Sequence, residues 1–356
     1  MAHTASMKYR YYYISFAAIA LLLFSSCQHD EPNPIKPVDE RKVLLVDAIG
    51  KVYNLEGEVV TTLPDCSSIS QIIVDGDDYF VGGTSTKDRV GYWKNGKWNT
   101  LHVDFIDDVT HKTYGIAKWD YHIYLFNFNY VLRNSGIFPL EDIENFVPAR
   151  HGISVSEGVC HVVGQKKVET PVHAHVPVIY SEHKGKYMYE ILPTPDGVTN
   201  SDALAVHAYD RDHVLVGGYV GREPAIWNDN QLQVLPRSFN ITVDTNQPYG
   251  SVNAITCIDG HIYAAGAEYY DEKQRVATVW CDGVPIYHLK STDDGFESSE
   301  VMDIQAYGSD LYVLTQEFTL VDKGDYISTV LSSVLWMNDK VLGQIKYKGM
   351  ASFAVY

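Results

Sequence analysis

The chain has 356 residues and a net charge of −17, with 45 acidic and 28 basic residues. Such a negative protein is a poor partner for nucleic acid or for an anionic membrane surface, and the sequence predicts neither as a ligand. Hydrophobic residues make up 46% of the chain. The roughly 315 residues that follow the N-terminal segments can therefore form one large domain with its own core.

The N-terminal segment has the layout of a secretory signal. Lys8 and Arg10 form a positively charged start, and residues 14–24 form an apolar run that is too short to cross a membrane comfortably. The run ends at Phe24-Ser25-Ser26-Cys27, which resembles the lipobox of bacterial lipoproteins. The resemblance implies that the segment before Cys27 is removed and that Cys27 carries a lipid. The alternative is an uncleaved anchor helix in which the cysteine is incidental.

Residues 1–26 are therefore predicted to be a lipoprotein signal peptide, and residues 27–41 a tether. Gln28-His29-Asp30-Glu31 forms an acidic cluster that resembles the signal sending some Bacteroidetes lipoproteins to the outer face of the outer membrane. The resemblance implies an outer-membrane protein that is anchored by its lipid and displayed on the cell surface. Three prolines in this segment, Pro32, Pro34 and Pro37, favour an extended tether. An ordinary solvated linker is the alternative.

A sequence motif made of short β-rich segments recurs along the rest of the chain. One copy contains Asp75-Gly76 and then Trp93-Lys94-Asn95-Gly96, and another contains Asp259-Gly260 and then Trp280-Cys281-Asp282-Gly283. Apolar and polar residues alternate between these turns, and Gly, Asn and Asp tolerate the positive φ of hairpin turns. Each unit is therefore predicted to form four short antiparallel strands. Helical periodicity is not convincing anywhere in the mature chain.

Six such units can be laid out, and the two ends of the chain supply a seventh. The six units are 69–101, 114–140, 153–192, 203–235, 252–289 and 301–345. Residues 42–63 contain three further strands and residues 351–356 a single one, so pairing the ends completes one more blade without an open edge. The sequence therefore predicts one all-β domain over residues 42–356, a β-propeller of seven four-stranded blades. Six blades, with the N-terminal strands merged into a neighbouring unit, are the alternative.

The repeat resembles that of the broad class of seven-bladed β-propellers. Its Trp-x-Asn/Asp-Gly motif resembles that of uncharacterised Bacteroidetes propeller lipoproteins. The resemblance extends over nearly all of the mature chain. It implies a fold and a location, and it implies no activity.

Four cysteines follow Cys27, namely Cys66, Cys160, Cys257 and Cys281. An exported chain meets oxidising conditions, and Cys257 and Cys281 fall in one unit, so a disulfide between these two is the most plausible pairing. Four dispersed cysteines do not form a disulfide framework in a domain of this size, however. Buried thiols packed as small apolar groups are therefore favoured.

His173 and His175 are the weak candidates for a metal site. Alternate residues of a strand point to one face, so the two imidazoles could share an ion, and His161 and His183 lie in the same unit. No carboxylate or cysteine stands nearby at ligand spacing, and Pro171 favours an exposed loop. The sequence therefore predicts no metal and no cofactor.

Catalytic motifs have little support in the sequence. Residues 291–295 fit the start of the Asp-box of sialidases and related propellers, but Ser298 stands where its Trp is required. Adjacent acids at Asp77-Asp78, Asp107-Asp108 and Asp293-Asp294 could cleave a glycoside only if folding brought two of them together, and such pairs are ordinarily solvated. Serine-hydrolase and phosphate-binding motifs are missing. We therefore expect a protein without catalytic activity.

The tryptophans fall into two groups. Four hold equivalent places in the units and are predicted to pack between blades, namely Trp93, Trp227, Trp280 and Trp336. Trp98 and Trp119 depart from that register. They are the predicted ligand-binding residues, because an exposed aromatic face stacks on the apolar face of a sugar ring.

A rigid ring that presents variable loops is a binding scaffold. The sequence therefore favours a surface-tethered, non-catalytic lipoprotein that recognises a glycan, a peptide or a partner protein. One alternative is a glycosidase or polysaccharide lyase whose catalytic residues are dispersed along the chain. Another is a structural subunit of an outer-membrane complex, which an exposed apolar patch on the side of the ring would indicate.

Overall fold

The computed structural model describes residues 41–87, 90–101, 112–134, 136–169, 174–243, 247–290, 296–322, 327–346 and 348–356. These residues form 28 β-strands arranged in seven antiparallel sheets of four. The described residues contain no helix, and so none that is long and apolar enough to cross a membrane.

Each sheet is one blade of a ring, in which the first strand named lies at the axis and the last at the outer edge. Blade 1 contains β28 (Met350–Val355), β1 (Val43–Asp47), β2 (Lys51–Tyr53) and β3 (Val59–Thr62). Blade 2 contains β4 (Cys66–Asp75), β5 (Asp78–Ser85), β6 (Val90–Lys94) and β7 (Lys97–Thr100). Blade 3 contains β8 (Thr113–Trp119), β9 (His122–Asn127), β10 (Tyr130–Arg133) and β11 (Gly136–Pro139).

The remaining four blades follow the same order. Blade 4 contains β12 (Phe146–Ser156), β13 (Val159–Val168), β14 (Ala174–His183) and β15 (Lys186–Ile191). Blade 5 contains β16 (Ser201–Ala208), β17 (Val214–Val220), β18 (Glu223–Asn228) and β19 (Gln231–Val234). Blade 6 contains β20 (Gly250–Ile258), β21 (His261–Tyr269), β22 (Arg275–Cys281) and β23 (Val284–Leu289). Blade 7 contains β24 (Ser298–Tyr307), β25 (Asp310–Asp322), β26 (Ile327–Met337) and β27 (Lys340–Lys346).

The two ends of the chain close the ring within blade 1. The last strand, β28, pairs with β1, so that Leu45 stands opposite Phe353. Lys42 and Tyr356 exchange two backbone hydrogen bonds of 2.9 and 3.0 Å. The inner strands contact one another in sequence around the axis, and β28 lies between β24 and β4. The predicted seven blades with closure by both ends are confirmed, and the alternative of six blades is wrong.

The ring has two faces that differ in their connections. Because each blade is antiparallel, the inner strand ends and turns into the second strand on one face, which we call the hairpin face. On the opposite face, which we call the connection face, the outer strand of one blade leads to the inner strand of the next. Lys42 pairs with Tyr356 at the end of an inner strand. Lys42, which precedes β1, therefore lies at the hairpin face.

Tryptophans fill the spaces between neighbouring blades, as predicted. Trp93, Trp227 and Trp280 stand on third strands and are fully buried. Their indole N–H groups donate to proline carbonyls in the preceding connections, those of Pro64, Pro193 and Pro236, at 3.1, 2.8 and 3.0 Å. Trp336 is also buried, but it donates to Thr315 Oγ1 within its own blade. The predicted core role of these four residues is confirmed.

The inner strands of all seven blades are bulged, and in four of the blades a glycine makes room for the bulge. The register of β16 shifts between Ala203 and Ala205, opposite Gly218 and Gly217. A Cβ at Gly218 would overlap the carbonyl oxygen of Asp202. Glycines with the same role stand on the second strands of three other blades: Gly83, Gly164 and Gly266. The recurring glycine at this place thus reflects close approach of two backbones.

The Asn or Asp of the repeated motif fixes the turn after the third strand by hydrogen bonds to the start of the second strand; we call this residue the turn clamp. Asp282 has a φ of 49°, its Oδ1 accepts a hydrogen bond from the Ile262 N–H at 2.9 Å, and its own N–H donates to the Ile262 carbonyl. Four other blades have the same pair of bonds, made by Asn95, Asn134, Asp229 and Asn338. The most conspicuous element of the repeat is therefore structural.

Candidate functional site

A cavity of about 570 Å³ lies on the axis of the ring. The inner strands of blades 2 to 7 supply its wall, which includes Trp119, His151, His207 and Thr256. The cavity reaches the hairpin face, because the exposed Asp120 in the turn after β8 is part of its rim. This is the place in the fold where residues from most of the chain converge.

An enlarged bulge in blade 4 forms the floor of this cavity. The register of β12 shifts between Pro148 and Ile153, so that four residues, Ala149 to Gly152, stand out of the ladder. His151 Nε2 lies 2.7 Å from the carbonyl oxygen of Ser70 in blade 2, and Arg150 donates to the carbonyl of Ala351 in blade 1 at 3.2 Å. The bulge thus crosses the channel and bonds to strands two and three blades away. We call residues 149–152 the channel bulge.

The channel bulge separates two cavities. The second has a volume of about 190 Å³, and its wall includes Arg150, Leu204, Glu300 and Met302. These residues belong to the halves of the inner strands that lie toward the connection face. His151 lines both cavities, so this side chain and its neighbours form the partition.

Two glycines and one strained residue explain why the sequence forms this bulge. His151 has a φ of 58°, a conformation that non-glycine residues adopt rarely. A Cβ at Gly152 would stand 2.8 Å from the Cβ of Ala149, and one at Gly115 would stand 2.6 Å from Ile153 Cγ2. Larger residues at either position would push the channel bulge out of place.

The imidazoles that face the larger cavity are neutral at physiological pH. Burial and the neighbouring Arg150 lower the pKa of His151 to about 3, although its hydrogen bond to Ser70 acts in the opposite direction. Because a carbonyl oxygen only accepts, Nε2 of His151 carries the proton. Burial also lowers the pKa of His207 to about 4. His207 therefore offers a ligand a neutral donor and a neutral acceptor, whereas the Nε2 proton of His151 is already donated to Ser70.

Some polar residues of the cavity wall already link neighbouring inner strands. Gln71 Oε1 accepts from the Ile116 N–H at 3.4 Å, and Ser154 Oγ accepts from the Ala208 N–H at 2.9 Å. Gln305 bonds to both the Phe353 carbonyl and the Val355 N–H. Within the described residues no hydrogen bond is assigned to the side chains of His207 or Thr256. These last two groups are therefore available to a ligand.

The structure places Trp119 and Trp98 far apart in the fold. Trp119 ends β8 at the rim of the larger cavity, is half-buried, and lies beside Gly158 of the β12–β13 turn. An ion pair of 2.6 Å between Lys118 and Asp75 stands next to it at the rim. Trp98 lies on the outermost strand of blade 2, where its ring is 4.5 Å from that of Trp93. Only Trp119 faces the cavity.

The structure describes three of the four histidines singled out in the sequence, so the pair of His173 and His175 stays untested. His173 lies outside the described residues, and His175 and His183 are exposed. His161 is buried, and its Nδ1 is 2.9 Å from Ser181 Oγ. A different trio, His261, Cys281 and Asp282, places ligand atoms within 4.8 Å of one another. Asp282 is the turn clamp of blade 6, which accounts for that arrangement without an ion.

The remaining sequence candidates have structural roles or cannot be placed. No disulfide joins the described cysteines, and Cys160 is fully buried, as expected of a thiol packed in a core. Asp78 pairs with Lys94 at 2.6 Å, and the hydrogen bond from Lys94 lowers the pKa of this carboxyl. The other acid pairs, 107–108 and 293–294, and the Asp-box-like segment 291–295 lie outside the described residues.

The burial of His161 in blade 4 makes the unfolding free energy depend on pH. Burial lowers its pKa from 6.5 to about 4, so the unfolded chain takes up a proton before the folded one does. Stability from this group is complete above pH 6.5 and is lost as the pH falls toward 4. We expect His161→Gln to flatten the fall of the unfolding free energy over this range by about 1.4 kcal/mol per pH unit. Urea unfolding at a series of pH values measures it, and equal slopes for both proteins would contradict a buried neutral imidazole.

Comparisons with known proteins find distant likenesses, and only among solved structures. No protein-family model matches the chain, and no curated protein matches it. Among solved structures, YjhT is 11% identical with a TM-score of 0.40, over 76% of this chain and 99% of that one. Apo AztD from Citrobacter koseri is 10% identical with a TM-score of 0.46, over 89% of this chain and 98% of that one. At such identities and scores, neither likeness carries an argument about ligand or activity.

Proposed function

We propose that this protein is a non-catalytic binding protein that takes the end of a neutral glycan into the larger axial cavity. The observation that carries the proposal is the cavity itself, about 570 Å³ with Trp119 at its rim. That volume lies within the range of small-ligand sites. Its wall combines the half-buried Trp119 with neutral polar groups such as His207 and Thr256, and a sugar ring can stack on the first and bond to the others.

Charge favours a neutral ligand at this site. The neutral state of His151 and His207 leaves no cation in the described cavity wall apart from Lys118, which is paired with Asp75. The chain as a whole carries a charge of −17, which repels polyanions. A neutral oligosaccharide needs no cation in the cavity wall, and the negative charge of the chain does not repel it.

The proposal includes anchoring to the outer membrane through a lipid on Cys27, with display on the cell surface. The support is the lipobox-like sequence and the acidic cluster after it. Lys42 pairs with Tyr356 at the hairpin face, which is also the face that the larger cavity reaches. Labelling of cells with palmitate tests the anchor, and equal labelling of Cys27→Ser would refute it.

A binding screen with product detection tests the proposed activity. The protein without residues 1–27 is applied to a glycan array and to insoluble polysaccharides, and released sugars are measured in parallel. We expect retention on a neutral glycan without product. Released product would show a glycosidase or lyase instead, and the absence of both signals would refute the glycan proposal.

Trp119 provides the matched variant for that screen. We expect Trp119→Ala to weaken glycan binding about tenfold or more, because loss of a stacked face costs on the order of 1.4 kcal/mol or more. Trp98→Ala removes an indole from the outer strand of blade 2 and should leave the affinity unchanged. Thr256→Val, which removes one hydroxyl from the cavity wall, serves as a smaller change if the first variant unfolds. Equal affinities of Trp119→Ala and the unmodified protein would place the ligand elsewhere.

A further inference from the structure

Arg150 brings a positive charge into the middle of the ring without a carboxylate partner. It stands on the channel bulge and lines the smaller cavity, where its side chain is exposed to the water of the channel. Its one hydrogen bond among the described residues goes to the backbone carbonyl of Ala351. No described carboxylate forms an ion pair with it. Most of the five N–H donors of this guanidinium are therefore available.

Two acids close to this charge, Glu300 and Asp303, have other partners. Glu300, in the wall of the same cavity, pairs with Arg275 at 2.7 Å. Asp303 accepts from Ser352 Oγ at 2.6 Å and from the Ile304 N–H at 2.9 Å. Desolvation of the guanidinium inside the ring lowers the pKa of Arg150, and the charge of Asp303 opposes this shift. The guanidinium therefore has negative charge nearby but is bonded to no described carboxylate, and its remaining N–H donors can bind an added anion.

We propose that the smaller cavity is a second binding site, and that it takes a small monocarboxylate held by Arg150. A guanidinium presents two parallel N–H groups to the two oxygens of a planar carboxylate. Glu300 and Asp303 add negative charge nearby, so an anion with two charges is disfavoured relative to one with a single charge. The volume of about 190 Å³ admits a ligand no larger than a small acid or one acidic sugar.

This site is independent of the proposed glycan site. The channel bulge lies between the two cavities, and the smaller one is toward the connection face. Failure of neutral glycans to bind would leave the carboxylate site untouched, and the reverse is also true.

Titration calorimetry with four probes tests the proposal on the chain that lacks residues 1–27. The probes are acetate, D-glucuronate, D-glucose and inorganic phosphate. We expect acetate and D-glucuronate to bind, phosphate to bind more weakly than either, and D-glucose to give the same result with and without Arg150. A response to D-glucuronate without one to acetate would assign the site to acidic sugars, and equal responses would assign it to the carboxylate group alone.

Variants at Arg150 separate this site from general charge effects. Arg150→Gln should weaken carboxylate binding at least tenfold, and Arg150→Lys, which keeps the charge and a donor for Ala351, should weaken it less. Arg211→Gln makes the same charge change in the exposed turn between β16 and β17 and should have no effect. Unchanged affinity in Arg150→Gln, tighter binding of phosphate than of carboxylates, or no response of the unmodified protein to either carboxylate would each overturn the proposal.

Discussion

A chain that ends at Gly349 is expected to show no cooperative unfolding transition. The missing strand, β28, is the inner strand of blade 1, and all six of its residues are buried. Its loss removes the ladder to β1 and leaves β4 and β24 without the strand that lies between them. Domains of ordinary stability have about 5–15 kcal/mol in total, and loss of an axial strand exceeds that reserve.

Thermal unfolding followed by circular dichroism measures this effect. Phe353→Ala serves as a graded comparison, because it removes one fully buried side chain from the same strand and should cost about 3–5 kcal/mol while the ring stays closed. A cooperative transition of the shortened chain near the midpoint of the full one would show that closure by β28 does not hold the ring together.

Trp280→Ala is expected to lower the unfolding free energy by about 3–5 kcal/mol. Its indole is fully buried between blades 5 and 6, against Ala205, Leu215 and Ile226. Trp280→Phe keeps most of the packing but leaves the Pro236 carbonyl without its donor, which should cost about 1–3 kcal/mol. Urea unfolding at neutral pH gives both values.

Trp98→Ala is the control for the tryptophan series. Trp98 is half-buried on an outer strand, so its loss should cost less than the loss of Trp280. Equal costs at the two positions would mean that the spaces between blades are not the main site of packing energy.

The fold could be predicted because hairpin turns and tryptophans recur at one spacing. The boundaries were less accurate where inner strands begin with small polar residues. Blade 7 was expected to begin at residue 301, yet β24 begins at Ser298, because Ser298 and Ser299 are buried and make no apolar alternation. Leu132 takes the place of the tryptophan in blade 3, and Asn134 still provides the clamp.

The candidate sites could be predicted only in part. Trp119 was identified because it departs from the register of the repeat, and it lies at the cavity rim. Arg150 and His151 were missed because residues 149–152 precede the expected start of a unit and have the composition of a connection. Their contacts join residues far apart in sequence, as in the bond from Arg150 to Ala351, and no local pattern reports such a pairing. The available signal was the number of extra residues in the inner strand of blade 4, three where β16 has one.

Fluorine NMR of protein labelled with 5-fluorotryptophan tests the central claim most directly. The chain has six tryptophans, so six resonances can be assigned by single Trp→Phe substitutions. On titration with the glycan retained most strongly in the screen, we expect the resonance of Trp119 to shift saturably while those of Trp93, Trp227 and Trp280 stay in place. Binding accompanied by a shift at Trp98 alone, or by none at Trp119, would show that the axial cavity is not the glycan site.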